Sequence, residues 1–384
     1  MRVALLCCVA IVGAFLPTAG PALATDASDF SVCRSARNIY DPGTEAACSR
    51  VLDAPDASAT DRVMAYAGRA RVRAAGEDYD AAIADAAAVI RLAPTAKAYL
   101  FIGFYRTLAG DRDDAIADFT KALTIEPTAE GYFLRAGEYA AGGEHRKAIA
   151  DLNRVIFQVP GEPEPHALRA KSFAALGLYD RAIGDYATLL GLNDRDSVSF
   201  AARAAAYLGK GNARSAIADY SAAIDVKPDW TYYAGRAAAY RAGGLLPEAL
   251  ADLIKAVDMH ANPATCLALG GAYAASGDAT HAAASYQQGL TLASEAVQAD
   301  PSAETYRDRA QLYRALGQNA DAVKDLDESI RLAPSADAYA ARGEAHAALG
   351  DVADAEIDRG RAAELTAAEV ARANAPPDGK LASR

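Results

Sequence analysis

The sequence predicts an all-α protein built as a stack of helical hairpins, and three repeating features support this fold class. The segment from Ala216 to Pro228 recurs along the chain at intervals of 33 or 34 residues, with one interval of 40. Glycine stands five residues before the anchor alanine in eight of nine repeats, where it suits the left-handed end of a first helix. Proline follows the second helix in five repeats, because it cannot continue a helix. Periods of this length are typical of helix pairs that stack on their neighbours.

Nine anchor alanines define the repeats. They are Ala82, Ala115, Ala148, Ala182, Ala216, Ala249, Ala282, Ala322 and Ala355. The glycines five residues before them are Gly110, Gly143, Gly177, Gly211, Gly244, Gly277, Gly317 and Gly350. A small residue also stands twelve positions before each anchor, where two helices could approach closely. Each repeat therefore reads as a first helix, a turn and a second helix.

The alanine, glycine, proline and aromatic positions together resemble the tetratricopeptide repeat family over roughly residues 62–366. The aromatic positions sixteen before the anchor hold Tyr66, Tyr99, Tyr132, Phe200, Tyr233, Tyr306 and Tyr339, and those four after it hold Phe119, Tyr186, Tyr220 and Tyr286. The resemblance implies a right-handed superhelical solenoid of about nine repeats, preceded by a degenerate N-terminal unit. It also implies that the first helices line a concave surface for a peptide or protein partner. It does not identify that partner.

The first residues have the layout of a secretory signal peptide. Arg2 is followed by an apolar run from Val3 to Leu16, and small residues precede the expected cleavage site after Ala24. The alternative is an N-terminal membrane anchor, but the apolar run is shorter than the ~20 residues that a spanning helix needs. We therefore expect an exported, periplasmic or secreted protein without an integral membrane segment after cleavage. The family resemblance implies work in a bacterial cell envelope.

Residues 25–61 form the degenerate first unit, because Ala47–Leu52 parallels the later second-helix segment Asp151–Ile156. Cys48 thus occupies a core position, and Cys33 precedes it by fifteen residues on the helix that should face it. In an oxidising compartment we expect these two cysteines to form a disulfide bond. Closing a loop of this length would contribute about 3 kcal/mol. The alternative is two unpaired cysteines that pack as small hydrophobic residues.

The remaining chain divides into the repeats, residues 62–366, and a C-terminal tail, residues 367–384. The tail is expected to be helical to about Ala373 and largely disordered, because Asn374–Lys380 offers little apolar surface for packing. Within the repeats, the unit anchored at Ala282 is unusual. The segment from Thr291 to Asp300 lengthens its second helix by nearly two turns. This extension is either neutral or a protruding contact surface.

A charge pair recurs in the repeats. Arginine stands thirteen before the anchor at Arg69, Arg135, Arg169, Arg203, Arg236, Arg309 and Arg342, and aspartate stands three after it at Asp85, Asp118, Asp151, Asp185, Asp219, Asp252, Asp325 and Asp358. The repeat anchored at Ala282 lacks both, with Leu269 and Ser285 instead, whereas Asp118 remains opposite Ile102. We expect a structural ladder of arginine–carboxylate pairs between first and second helices.

Signatures of catalysis are missing from the sequence. It has no His-Glu-x-x-His, Cys-x-x-Cys, Gly-x-Ser-x-Gly or phosphate-binding glycine loop, and His166 and His346 fill aromatic core positions. We therefore expect no cofactor, no metal and no enzymatic activity. The formal net charge of −11 disfavours nucleic acid as a partner.

The residues fifteen, eleven and eight before each anchor should share the concave face of the first helices, because spacings of four and three return to one side of a helix. The candidate groove residues are Leu100, Phe104, Phe133, Lys171, Arg241, Arg307, Gln311 and Arg314. They suggest a groove that begins apolar and ends basic, suited to a peptide with apolar residues and an acidic segment. Alternatively, the phenylalanines fill gaps between helices and the arginines are solvated. The corresponding functions are an exported binding scaffold or, alternatively, a structural or self-assembling spacer of an envelope complex.

Overall fold

The computed structural model describes residues 27–34 and 42–374, and within these ranges the chain forms helices and no strand. The first helices in chain order are α1 Ala27–Arg34, α2 Pro42–Asp53, α3 Ala59–Ala75, α4 Tyr79–Leu92, α5 Ala96–Ala109, α6 Arg112–Ile125, α7 Ala129–Ala141 and α8 His145–Gln158. They are followed by α9 Pro163–Ala175, α10 Tyr179–Leu192, α11 Ser197–Gly209, α12 Ala213–Val226, α13 Trp230–Ala242 and α14 Leu246–Met259. The last are α15 Pro263–Ala275, α16 Ala279–Ala299, α17 Ala303–Ala315, α18 Asn319–Leu332, α19 Ala336–Leu349 and α20 Val352–Asn374.

The chain divides into two compact units between Pro165 and His166, in the first turn of α9. In each unit, helices that follow one another in sequence pack as antiparallel hairpins, and each hairpin contacts the next. The predicted all-α stack of hairpins is confirmed in both units. The expected signal peptide, residues 1–24, and the last ten residues of the tail lie outside the described residues. The described helix α20 extends eight residues into the segment assigned to the tail.

Local sequence explains where the first helices begin and end. Eight of them begin after a side-chain cap, in which a Ser, Thr, Asp or Asn oxygen accepts a backbone N–H of the first turn; these caps are Ser58, Thr95, Thr128, Asp196, Asp229, Asn262, Ser302 and Ser335. All eight glycines predicted to end a first helix have positive φ, between 69° and 90°. The first repeat lacks this glycine, and there Glu77 adopts the left-handed conformation with a φ of 64°. This conformation is unfavourable for a residue with a Cβ.

The core of each hairpin is built around the anchor alanines, all of which are at most 4% exposed. The small residue twelve positions earlier has a steric role. At Gly103 an added Cβ would lie 2.7 Å from the Phe119 ring, and at Gly270 it would lie 2.3 Å from the Tyr286 ring. The aromatic side chain of the second helix therefore occupies the space that a larger first-helix residue would need.

The predicted ladder is present in seven repeats. In each, the arginine Nε and Nη2 atoms donate to the two carboxylate oxygens of the aspartate over 2.6 to 2.9 Å. The pairs are Arg69–Asp85 and Arg135–Asp151 in the first unit, and Arg169–Asp185, Arg203–Asp219, Arg236–Asp252, Arg309–Asp325 and Arg342–Asp358 in the second. His166 contributes to one of them, with its Nδ1 3.2 Å from Asp185.

Ladder arginines of both units also reach the preceding repeat through Nη1, which the sequence did not predict. Arg69 donates to Ser49, Arg135 to Thr120, Arg236 to Ser221 and Arg342 to Asp327 over 2.6 to 3.1 Å. The three acceptors inside the repeats lie five residues after the preceding anchor. The guanidinium therefore fixes its own hairpin and also its distance to the hairpin before it.

Two repeats replace the ladder pair. In the second repeat Arg106 donates to Asp118 through a single Nη1 bond of 2.6 Å, while Ile102 is buried. Burial raises the pKa of Asp118 and outweighs the opposite effect of Arg106. In the seventh repeat Leu269 is buried, and the Ser285 hydroxyl donates to the His281 carbonyl of its own helix over 2.8 Å.

The N-terminal hairpin contains the expected disulfide between Cys33 of α1 and Cys48 of α2. Helix α3 packs directly on it, because a Cβ at Gly68 would lie 2.7 Å from the Cys33 carbonyl and 3.1 Å from the Cys48 sulfur. Val51 and Ala65 complete this buried cluster. The disulfide thus forms part of the surface on which the first repeat stacks.

The extension of α16 packs against its neighbours. Ala293 and Val297 are buried, and Ala293 belongs to a cluster with Leu290 and with Leu312 of α17. The extended helix therefore contributes buried surface to the next hairpin. Among the helices described, none is long and apolar enough to cross a membrane.

Candidate functional site

Two adjoining cavities open on the first helices of the second unit, and they are the site that best fits a binding role. The larger has a volume of about 610 Å³ and lies between α15, α17 and α19; the smaller, about 280 Å³, lies between α13, α15 and α17. Leu267, Asp308 and Gln311 border both. The cavities therefore form one continuous groove across four successive first helices.

Four predicted groove residues meet at these cavities. Arg307, Gln311 and Arg314 line the larger cavity, and Arg241 lines the smaller one, which also includes Gln311. They stand fifteen, eleven or eight residues before an anchor, so the spacing places them on one face as expected. The site is thus assembled from residues of repeats six and eight, with repeat seven between them.

The charge of the groove differs from the expectation of a basic end. Arg314 is ion-paired with Glu344 of α19. Asp308 and Asp337 line the same cavity as Arg307, so carboxylates balance much of its positive charge. Arg241 and Arg307 form no ion pair with another residue of 27–34 or 42–374. The groove therefore presents both charges, and the guanidinium groups of α13 and α17 that line it without a direct ion pair are those of Arg241 and Arg307.

Asp308 has an unusual environment for a groove carboxylate. Burial raises its pKa, the nearby Glu304 raises it further, and Arg307 acts in the opposite direction. A ligand group that donates a hydrogen bond to Asp308, or a cation beside it, would offset the cost of this burial. The larger cavity can therefore accept and donate hydrogen bonds at neighbouring points.

The apolar residues predicted for the groove lie in the first unit, and at least one of them is a core residue. Leu100 is 3% exposed and packs in a cluster with Ala96, Ala115 and Phe119, so it offers almost no surface to a partner. The side chain at this position, fifteen before the anchor, lies in the contact between neighbouring helices. The prediction that Leu100 belongs to the groove is therefore wrong.

Phe104 and Phe133 are half-buried. The Phe104 ring packs against a core cluster of the first unit and lies 5.9 Å from the Tyr105 ring, measured between centroids. The Phe104 ring therefore fills space between helices, and both rings keep part of their surface accessible. Lys171 is exposed on α9, and neither of the two cavities includes it.

Sequence reasoning missed part of the lining. Leu267 and Gly271 occupy the same two spacings, fifteen and eleven before Ala282, and could have been found from the repeat alignment. Asp308 and Asp337 stand fourteen and eighteen residues before their anchors, outside these spacings, and their place in the lining becomes visible only when helices from different repeats are side by side. No cluster of His, Cys, Asp and Glu suited to a metal ion occurs in the part of the chain that the structure describes.

Comparisons with known proteins support the fold. Sequence profiles of the tetratricopeptide repeat match residues 201–264 and 307–378, and, for a second profile, residues 96–128. No curated protein matches the sequence. The crystal structure of a tetratricopeptide repeat protein from Parabacteroides merdae matches with a TM-score of 0.51 and 21% identity, over 60% of this chain and 93% of that one.

Two further solved structures are similar to smaller or larger parts of the chain. YrrB, described as a tetratricopeptide repeat protein with an unusual peptide-binding site, gives a TM-score of 0.44 at 18% identity, over 52% of this chain and 98% of YrrB. The Cut9–Hcn1 hetero-tetramer gives 0.45 at 14% identity, over 91% of this chain and 84% of the matched one. The profile matches thus show tetratricopeptide repeats at residues 96–128, 201–264 and 307–378, and the repeated hairpins of both units have the fold of that family.

Proposed function

We propose that the protein is an exported interaction scaffold that holds a peptide or protein partner in the groove of its second unit. The observation that carries this proposal is the convergence of side chains from α13, α15, α17 and α19 on two adjoining open cavities. The groups that line these cavities are guanidinium, carboxylate, amide and apolar, which is a set suited to recognition of a polypeptide.

The proposed location outside the cytoplasm rests on two independent features. One is the charged start, apolar run and small residues of the first 24 positions. The other is the Cys33–Cys48 disulfide, which persists in oxidising compartments. A mature protein that begins at Thr25, measured by intact mass, is the expected result. A mass that retains the first residues would contradict export by cleavage.

Site-specific photo-crosslinking tests the binding role. A photoreactive residue placed at Gln311 in the producing cell should give a discrete crosslinked partner, because Gln311 borders both cavities. The same residue placed at exposed Lys255 on α14, a second helix, is the matched control. Arg307→Glu should reduce the crosslink at position 311 while the helix content remains unchanged. Equal crosslinks at both positions would place the partner elsewhere.

A self-assembling spacer is separated from a scaffold by light scattering of the purified protein. A scaffold stays monomeric as the concentration rises, whereas a spacer that assembles through its ends increases in mass without any partner. Association of the protein alone that survives Arg307→Glu would favour the spacer.

A further inference from the structure

The smaller cavity differs from the larger one in the chemistry of its floor. It lies over α15, which contributes Pro263, Ala264, Ala268 and Gly271, together with Leu267. All five of these residues are apolar, so the floor is apolar, in contrast to the arginine and carboxylate lining beside it.

Gly271 creates the depth of this cavity. A Cβ added there would meet only the Tyr286 hydroxyl, 3.9 Å away, so the space above Gly271 is left open by the fold. By contrast, a Cβ on the neighbouring Gly270 would lie 2.3 Å from the Tyr286 ring. Gly270 is needed for packing and Gly271 is not. The volume of about 280 Å³ exceeds the ~150 Å³ of a cavity that accommodates a benzene-sized group.

The charge beside the apolar floor is supplied by Arg241. It is exposed in the last turn of α13, lines the cavity and forms no ion pair with another described residue. On the opposite side, Asp308 and Gln311 separate the cavity from Arg307. A carboxylate in a ligand is therefore complementary to the Arg241 side, and it would meet the Asp308 carboxylate on the other side.

We propose that the smaller cavity takes one aliphatic side chain of a bound peptide and that Arg241 pairs with an acidic residue beside it. This proposal rests on the proposed function, since it names the chemistry that the groove selects. The apolar floor holds the aliphatic group, Arg241 fixes the direction of the chain, and Gln311 and Asp308 contact the polar residues that follow. The ligand class is a segment in which an aliphatic and an acidic residue are adjacent.

Selection of a random-peptide library on the purified full-length chain tests this proposal. The expected enrichment is an aliphatic residue next to Asp or Glu. In the best selected peptide, replacing the aliphatic residue by Ser should weaken binding at least about tenfold, which is the scale of burying one such side chain. Enrichment without an aliphatic residue would overturn the proposal.

The variant that tests the cavity is Gly271→Leu, which fills the space over α15. It should abolish the preference for the aliphatic residue and leave the melting temperature equal or higher, because leucine favours a helix interior more than glycine does. Gly184→Leu is the matched control, because Gly184 is an exposed helical glycine on α10 with open space around its Cβ position. It should bind the selected peptide like the wild-type chain.

The charge contact is tested by reversal. Arg241→Glu should weaken binding of the selected peptide about tenfold or more, and replacing the acidic residue of the peptide by Lys should restore it. An unchanged affinity for Arg241→Glu would overturn the role of Arg241. If Gly271→Leu keeps the crosslink at Gln311 and the peptide preference, the cavity assignment fails while the scaffold function stands. If the photoreactive residue at position 311 gives no crosslinked partner even in the chain without other substitutions, the scaffold function is contradicted instead.

Discussion

The hairpins α11–α12 and α15–α16 fill the same two contact positions between their helices with different side chains. In the first, Arg203 and Asp219 form two bonds of 2.7 and 2.8 Å, and the guanidinium carbon lies 5.7 Å from the centre of the Phe200 ring. In the second, Leu269 and Ser285 occupy the equivalent positions, and Leu269 joins a buried cluster with Leu253. The fold accepts either solution.

The difference teaches what the ladder contributes. A complete ion pair or a complete apolar contact satisfies the buried groups, whereas half of an ion pair would leave a desolvated charge without a partner. Each arginine is therefore needed wherever its aspartate is present. The seventh repeat shows that a hairpin of this chain can still form without either residue of the pair.

The largest effect is expected for Arg203→Ala. It leaves Asp219, whose side chain is only 11% exposed, without its partner, and should lower the free energy of unfolding by about 3 to 5 kcal/mol. Urea denaturation followed by circular dichroism measures the change. Arg195→Ala, at an exposed position before α11, is the control and should change stability by less than about 0.5 kcal/mol. A similarly small change for Arg203→Ala would place the pair among weak, screened surface contacts.

The double variant Arg203→Leu with Asp219→Ser sharpens the comparison, because it copies the seventh repeat into the fifth. It should be distinctly more stable than Arg203→Ala, since no charge remains buried alone. If the double variant is as unstable as the single one, the apolar solution depends on other residues of α15 and α16.

The N-terminal hairpin uses a third solution, and reducing its disulfide should cost about 3 kcal/mol. The loss should be local, with faster amide exchange in α1 and α2 and little change in the second unit, because each hairpin contacts only its neighbours. Reductant added to a Cys33→Ser variant is the control and should have no effect. Alkylation of both cysteines in untreated native protein would show that the bond is not formed.

The smallest effect is expected at the turn of the first repeat. Glu77→Gly should stabilise the protein by about 1 kcal/mol, because it removes the Cβ from a left-handed residue. Gly110→Ala, at the same position of the next repeat, should destabilise it by a similar amount. Thermal melts of the two variants should shift in opposite directions. Shifts in the same direction would mean that the left-handed turn conformation does not determine the stability change at these positions.

Features within one hairpin could be predicted from the sequence. The eight left-handed glycines, the seven arginine–aspartate pairs and the disulfide all follow from fixed spacings, because helix geometry is the same in every repeat. Glu77 shows how strong this constraint is, since the turn keeps its conformation even without glycine.

Features that join different hairpins could not be predicted in the same way. The burial of Leu100, the contact of Arg69 with Ser49 and the pairing of Arg314 with Glu344 depend on how closely one repeat approaches the next. That distance is decided by side-chain packing and not by the period. Four predicted groove residues line the cavities of the second unit, but the carboxylates beside them were not foreseen.

The long helix α16 indicates which lengths of insertion a second helix can accept. Its repeat interval exceeds the usual one by seven residues, and seven residues make almost two full helical turns, with an offset of only about 20°. Ala293 and Val297 consequently remain on the buried side of the helix. An insertion of five residues would rotate the following segment by about 140° and expose them. An insertion within a second helix therefore preserves the buried face when it adds nearly whole turns, and the seven residues of α16 are one such length.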